Sequence, residues 1–333
     1  MFFLLVVAVF GVFLFWRHRR EQLKVQDYRS KAVLITGCDS GFGRMFALKC
    51  LAEGMPVFTA FLTEAGRIDL VDSAKLLPGR LHAFQMDVTS AESVKKGKNF
   101  VEEQSQPYKG LFGIVNNAGV ASNTALDDWL TLEDYQRVVE VNTFGAIRVT
   151  QTFKDLVKRT RGRIVTTASI CGRIGLPGMG PYAVSKHAIE GYCDVIRNEL
   201  ANFGVKVSIV EPGFFRTPMT DSRRVTAQIG RVWEKTTPKI REEYGDKFFR
   251  SFQERAGEMM ERISSHRPEE VVDAYFHALT ALHPRGRYHV GWDALLLFIP
   301  LSFLPAEVQT FLITSVQKLQ KFPTPAAIEG EQI

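Results

Sequence analysis

Short apolar runs recur through the middle of the chain, and a longer amphipathic stretch follows most of them. Ala32 to Thr36, Pro56 to Leu62, Arg80 to Val88, Leu111 to Val115, Arg163 to Ala168 and Val205 to Val210 are rich in Val, Ile, Leu and Phe. That composition suits strands buried on both faces. Helical patterns occupy Arg44 to Gly54, Ser90 to Gln104, Leu132 to Val149 and Ala183 to Leu200. Strands alternating with helices at this pitch predict an α/β fold, a doubly wound parallel sheet of Rossmann type in a single domain. The core is expected over 28–217. Thr217 to His266 is charged, with Trp233, Phe248, Phe249 and Phe252 interspersed. It reads as lid helices over a site, or equally as an amphipathic pair packed on the core, within a region 218–292 that completes the fold.

The two ends break this pattern. Residues 1–16, MFFLLVVAVFGVFLFW, carry no charge, and RHRR follows at once. Spanning a bilayer takes about 20 apolar residues, so this is a short span. A secretory signal would carry its charge before the apolar run and a small-residue cleavage site after it. The expectation is a retained N-terminal membrane anchor over 1–20, with the basic flank placing the domain on the cytosolic side and the lumenal side as the alternative. Asp293 to Val316 is also strongly apolar, but Pro300, Pro305 and Glu307 interrupt it. The segment 293–317 is therefore expected to lie in the membrane interface or re-enter it. A final core helix with a homodimer contact is the plainer alternative. In the tail, 318–333, disorder is expected from Phe322 onward.

Composition narrows the function. The 333 residues are 45% hydrophobic and 23% charged, with a formal charge of +6. No basic stripe with interleaved aromatics is present, which argues against nucleic acid. Cys38, Cys50, Cys171 and Cys193 lack metal-ligand spacing, and no HExxH pattern occurs, so no metal is expected.

Candidate chemistry lies between Ser169 and Lys186. Tyr182 follows Ser169 by thirteen residues, and Lys186 follows Tyr182 by one helical turn. A free tyrosine, with a pKa of about 10, is a poor base at neutral pH, and a nearby ammonium lowers it. Ser169 ends an apolar run, which places its hydroxyl at the carboxyl edge of the sheet, where open α/β folds bind ligands. A Tyr and a Lys one turn apart also occur by chance on half-buried helices, so the pair draws its weight from its surroundings. Gly37, Gly41 and Gly43 stand between the first strand and the first helix, where backbone N–H groups can approach a pyrophosphate. The second strand ends in Phe61, Leu62, Thr63 and Glu64, without the usual ribose-binding acid or the arginine that suits a 2′-phosphate. Asp39, inside the glycine turn, would repel a 2′-phosphate, so NAD is expected over NADP. Asn142 falls inside a predicted helix, an unfavourable place for its side chain unless it has a partner.

Taken together, TGCDSGFG (36–43), NNAG (116–119), Asn142, Ser169, YAVSK (182–186) and PGFFRT (212–217) resemble the motifs of the short-chain dehydrogenase/reductase family over roughly residues 30–220. ITGCDSGFG, WLTLEDYQ, VEPGFFRTP and GWDALLLFIPLSFLP are similar to its membrane-bound subgroup of retinol dehydrogenases and 17β-hydroxysteroid dehydrogenase type 6-like enzymes, with the 11-cis-retinol branch nearest. The resemblance implies interconversion of a hydrophobic alcohol and its carbonyl at the endoplasmic reticulum membrane. It implies Tyr182 as acid/base and Lys186 as the group that lowers its pKa and holds the nicotinamide ribose. Ser169 would hold the substrate oxygen, and Asn142 a water linking Lys186 to solvent. Gly37, Ser40, Gly41 and Gly43 would surround the pyrophosphate. Asp87 and Val88 would meet the adenine. Asn116, Ala118 and Gly119 would line the cofactor cleft, and Pro212, Gly213 and Thr217 would close over the nicotinamide. Leu176, Met179, Phe214 and Phe215 flank these motifs and are expected at an apolar pocket mouth. Two alternatives stand beside this reading. One is a 3-hydroxybutyrate-type dehydrogenase with Arg173 or Arg216 gripping a carboxylate. The other is an NAD-binding membrane scaffold without turnover.

Overall fold

The computed structural model describes Gly11, Trp16, residues 19–319 and residues 323–328. The expected anchor over 1–20 therefore falls almost entirely outside the described residues. Seven strands form one parallel sheet in the order β3-β2-β1-β4-β5-β6-β7. They are β1 (Val33–Thr36), β2 (Val57–Phe61), β3 (Leu81–Gln85), β4 (Gly113–Asn116), β5 (Arg163–Thr167), β6 (Lys206–Pro212) and β7 (Arg287–Val290). β1 pairs with β2 on one side, Val33 opposite Val57, and with β4 on the other, Val33 opposite Gly113. The strand order thus reverses between β1 and β4, and the crevice at that switch point opens at the carboxyl ends of the strands. β7 was not among the expected strands. Its RYHV sequence has only two buried positions, too weak a signal beside the continuous apolar runs of β1 and β2.

Both sheet faces are covered. Gly41–Ala52 and Glu269–Thr280 pack on one face with Phe46, Leu51, Tyr275 and Leu279 in the core. Ala91–Gln104, Ala146–Arg159 and Gly180–Ala201 pack on the other, contributing Val94, Phe153 and Ile189. A third apolar cluster lies above the carboxyl edge. There the helices Ser222–Lys235 and Pro238–Ile263 close around Trp129, which meets Trp233 at 4.9 Å and Phe252 at 5.2 Å between ring centroids. Trp233 stacks on Phe249 at 4.8 Å. The two helices thus pack as an aromatic-filled pair. Gly245 breaks the second helix with a φ of 76°, a backbone that L side chains rarely adopt.

One expectation changes. The helix expected over Leu132 to Val149 is Leu132–Val139, a π-helical segment Glu140–Gly145, then Ala146–Arg159. In the tail, Ala326–Ile328 forms a 3-10 turn beside Gly245, and residues 322 and 329–333 of the stretch expected to be disordered lie outside the described residues. The apolar C-terminal segment folds as Ala294–Phe298, Ile299–Ser302 and Ala306–Leu319, broken by Pro305. No helix among the described residues is long and apolar enough to cross a membrane.

Candidate active site

The site is built where β1, β4, β5 and β6 end. Pro181 lies in the first turn of Gly180–Ala201, where its missing N–H costs nothing. Tyr182 and Lys186 then fall on one face of that helix, the ammonium 5.4 Å from the tyrosine ring centroid. Lys186 is buried, and its Nζ donates to the Thr167 carbonyl at 2.8 Å. Burial pulls its pKa down to about 8. The Tyr182 hydroxyl moves the other way: burial raises it well above the ordinary phenol range, the buried Cys171 beside it adds to that, and a hydrogen bond with Ser169 opposes it. Lys186, expected to lower the tyrosine pKa, stands beside the ring with its ammonium held by the Thr167 carbonyl. Ser169 Oγ accepts from the Cys171 N–H at 3.2 Å and faces the Pro212 carbonyl at 3.5 Å.

Asn142 explains the π segment. Its Oδ1 accepts from the Val120 N–H at 2.8 Å, and its Nδ2 donates to the Val120 carbonyl at 3.0 Å and to Ser185 Oγ at 3.1 Å. One widened turn lets an interior asparagine reach the main chain after β4 and grip the helix that carries Tyr182 and Lys186. Both amide hydrogens are thereby committed to protein partners. Gly119 lies directly beneath, where an added Cβ would stand 3.2 Å from Asn142 Oδ1.

The glycine turn is tight for a stated reason. Gly37 has a φ of 69°, and a Cβ there would stand 2.7 Å from Ala118 Cα. At Gly43 it would stand 2.4 Å from the Gly37 carbonyl oxygen. Gly41 differs, with nothing within 4 Å of its Cβ position. Ser40 precedes the helix without capping it through its side chain, so the first-turn N–H groups beside Gly41 have no side-chain acceptor from Ser40. Asn117, which sequence reasoning passed over, locks this turn. Its Nδ2 donates to the carbonyls of Thr36 and Gly37, both at 3.0 Å, while Thr36 Oγ1 accepts from the N–H groups of Asn117 and Ala118. Asn116, expected to line the cleft, turns its side chain into the core toward Thr150 Oγ1, at 2.8 Å. At the end of β3, Asp87 accepts from Thr89 and Val88 is buried against Gly145.

Asp39 places a carboxylate at the end of β2. Its carboxylate accepts from Leu62 N at 3.0 Å, Thr63 N at 2.8 Å and Thr63 Oγ1 at 2.6 Å. The acid reaches the strand terminus from the glycine turn rather than from the strand itself.

A part-enclosed cavity opens beside Ser169 and Tyr182. Met179, Gly213, Phe214, Met219, Val225 and Met260 are among its lining residues, with Ser122 and Gln228 as polar points. Met179 and Phe214 stand where expected, but Phe215 and Leu176 do not line it. Extended chain points successive side chains to opposite faces, so Phe215 enters the core and meets Phe42 edge-on at 6.0 Å. Leu176 packs on the lid cluster instead. Thr217 shapes the following turn, its N–H donating to Thr220 Oγ1 at 3.0 Å. Thr220, Val225, Gln228 and Met260 were missed individually, although the reading of 217–266 as a lid contained them. Arg173 lies 3.4 Å from Glu211, and Arg216 donates to the Glu261 carbonyl at 3.4 Å, so neither reaches the cavity.

The profile of the short chain dehydrogenase family matches residues 31–228. Mouse retinol dehydrogenase 16 is 40% identical over 94% of this chain and 96% of its own length. Human 17-beta-hydroxysteroid dehydrogenase type 6 is 39% identical over 97% of this chain and 98% of its own. A 3beta-hydroxysteroid dehydrogenase of Caenorhabditis elegans is 39% identical over 98% of this chain and 85% of its own. Among solved structures, a short chain dehydrogenase/reductase from Burkholderia phymatum in complex with NAD shares the fold. It has a TM-score of 0.66 and 23% identity, over 83% of this chain and 94% of that one. The site geometry and these likenesses agree: the chain belongs to the short-chain dehydrogenase family, in the subgroup of the retinol dehydrogenases and 17β-hydroxysteroid dehydrogenase type 6.

Proposed function

We propose that this protein interconverts a hydrophobic alcohol, a retinoid or a hydroxysteroid, and its carbonyl with NAD(H). One observation carries the reading: Ser169 and Tyr182 open into a cavity with no charged side chain among its described lining residues. A small hydroxy acid would need a cation there, and Arg173 and Arg216 are engaged elsewhere. The relatives' names, retinol and hydroxysteroid dehydrogenases, point the same way.

The residues fit a dinucleotide. The open face at Gly41 and the first-turn N–H groups after Ser40 would receive the pyrophosphate. Asp39, fixed at the end of β2, supports NAD over NADP, because its carboxylate would repel a 2′-phosphate. When bound, the nicotinamide exchanges the hydride with the carbinol carbon. The chain's own groups do the rest. Ser169 Oγ orients the substrate oxygen. Tyr182 takes the hydroxyl proton in oxidation and returns it in reduction. Lys186 places a cation near the developing phenolate, where opposite charge favours ionisation.

Attachment to the endoplasmic reticulum membrane, with the catalytic domain on the cytosolic side, is part of the same proposal. Leu296 at 77% and Phe303 at 78% exposure give the C-terminal segment an apolar outer face. On its inner side Phe298 meets Phe214 of the cavity wall at 6.0 Å. A lipid-soluble substrate would then enter from the membrane side. A homodimer would use the groove lined by Leu132, Phe144 and Val184.

The test is initial rates of the full chain in detergent, with NAD and NADP, against retinols, 3α- and 17β-hydroxysteroids and 3-hydroxybutyrate. Turnover of an apolar alcohol with NAD, abolished in Tyr182→Phe, is the expected result. Turnover of hydroxybutyrate alone overturns the substrate class. NADH binding without any turnover overturns the enzyme reading in favour of a scaffold.

A further inference from the structure

Helix Glu269–Thr280 presents an apolar face to the sheet, with Val271, Val272, Phe276, Ala278 and Leu279 all buried. Tyr275 lies among them, wholly buried, its ring edge-on to Phe46 at 5.4 Å. Phenylalanine would serve that packing. A hydroxyl so deep is costly unless it is bonded, so its presence calls for partners. It has two, on different strands. Tyr275 Oη stands 2.6 Å from Thr167 Oγ1, at the end of β5, and 3.4 Å from Asn117 Oδ1, just past β4.

The direction of these bonds follows from the donors. Asn117 spends both amide hydrogens on the carbonyls of Thr36 and Gly37, which turns Oδ1 toward Tyr275. Tyr275 therefore donates to Asn117, and Thr167 Oγ1 donates to Tyr275. The carbonyl of the same Thr167 accepts from Lys186 Nζ at 2.8 Å. One chain of contacts thus runs from the lysine, through Thr167, Tyr275 and Asn117, to the first glycine of the pyrophosphate turn. Its middle link comes from a helix that does not reach the cavity.

We propose that Tyr275 is a positioning residue that ties the placement of Lys186 to the conformation of the Gly37 turn. This rests on the reading of the site as a nicotinamide-dependent dehydrogenase, in which those two places act together. Neither end is held by the lysine or the turn alone. A shift of Asn117 moves the acceptor of Tyr275, and through it the strand end that carries the acceptor of Lys186. Cofactor affinity and catalytic rate should then change together when the hydroxyl is removed, while the apparent affinity for the alcohol stays fixed.

The experiment compares the full-length wild type, Tyr275→Phe, Thr167→Val and the double variant in detergent. NADH affinity is read by fluorescence without substrate, and kcat and KM with the best alcohol. Tyr275→Phe is expected to weaken NADH binding about 5-fold and lower kcat about 10-fold, with KM for the alcohol within about 2-fold, as loss of a buried hydrogen-bonded hydroxyl would do. Because both residues act through one link, the double variant should be no worse than the more affected single one. Thr167→Ser, which keeps the hydroxyl, should stay near wild type. A lowered melting temperature with NADH affinity and kcat both within about 2-fold of wild type would reduce Tyr275 to a packing residue and overturn the proposal, and so would effects that multiply in the double variant. If the wild type turns over nothing, the enzyme reading fails by itself. The NADH arm then still decides here, with unchanged affinity in Tyr275→Phe as the overturning result.

Discussion

The cofactor side and the substrate side of this site are held by different physics. On the cofactor side the main chain does the work. Gly37, Gly43, Thr36 and Asn117 pack backbone against backbone, and their tolerances are tenths of an ångström. On the substrate side bulk does the work, with Trp129, Trp233, Phe249 and Phe252 filling space between two helices. A backbone contact admits one residue type, whereas an aromatic cluster admits many arrangements of similar volume. The first region should therefore be brittle and the second forgiving.

The sharpest way to probe this contrast is at Lys186, where the two sides meet. Lys186→Met should lower kcat by about 10²–10⁴-fold, measured as single-turnover rates with the best alcohol. The same change should raise thermal stability at pH 7, because burial disfavours the ammonium. The folded pKa of about 8 lies below the ordinary value of 10.5, so between those pH values the unfolded chain binds more protons than the native one. Wild-type stability from this group therefore rises as pH climbs through that window. The advantage of the Met variant should be largest below pH 8 and shrink by pH 10, and a gap that widens with pH would refute the assignment.

Gly37→Val comes next. It places a branched side chain at a positive φ, against Ala118. A stability loss of about 1–3 kcal/mol is expected in denaturant titrations, with NADH affinity down at least about 10-fold. Asp39→Ser should act on choice rather than strength. The ratio of kcat/KM for NADP to that for NAD should rise about 10-fold as the repelling carboxylate goes. An unchanged ratio would mean that selectivity lies elsewhere. Phe214→Leu, on the forgiving side, should show the smallest effect. A change of about 2- to 5-fold in KM for the alcohol is expected, with NADH affinity unaltered. A large loss of cofactor affinity there would erase the contrast altogether.

The same contrast governs how much could be read from the sequence. Six strands, the glycine turn and the Ser169, Tyr182 and Lys186 set were legible because each demands particular residue types at short spacing. The pairing of Asn117 with Tyr275 was not, since it spans 158 residues and the NNAG motif that holds Asn117 gives no sign of it. Phe214 and Phe215 are adjacent and chemically identical, so composition could not tell which faced the cavity. The strand-like alternation at that point decides it. Asp39 was singled out for its charge, but its reach to the end of β2 depended on how the glycine turn folds.

The widened turn at Glu140–Gly145 has a consequence for the gene as well as for the protein. A regular helix advances about 100° per residue, so an extra residue in one turn offsets everything after it by that angle. Val138 before the bulge and Val149, Phe153 and Leu156 after it are buried. An in-frame loss of any single codon between 140 and 145 would restore a smooth helix. It would also remove Asn142 or the widened turn that carries its amide to Val120 and Ser185. A lesion that improves local regularity would thus be among the most damaging in the chain, and a conservative substitution nearby among the mildest.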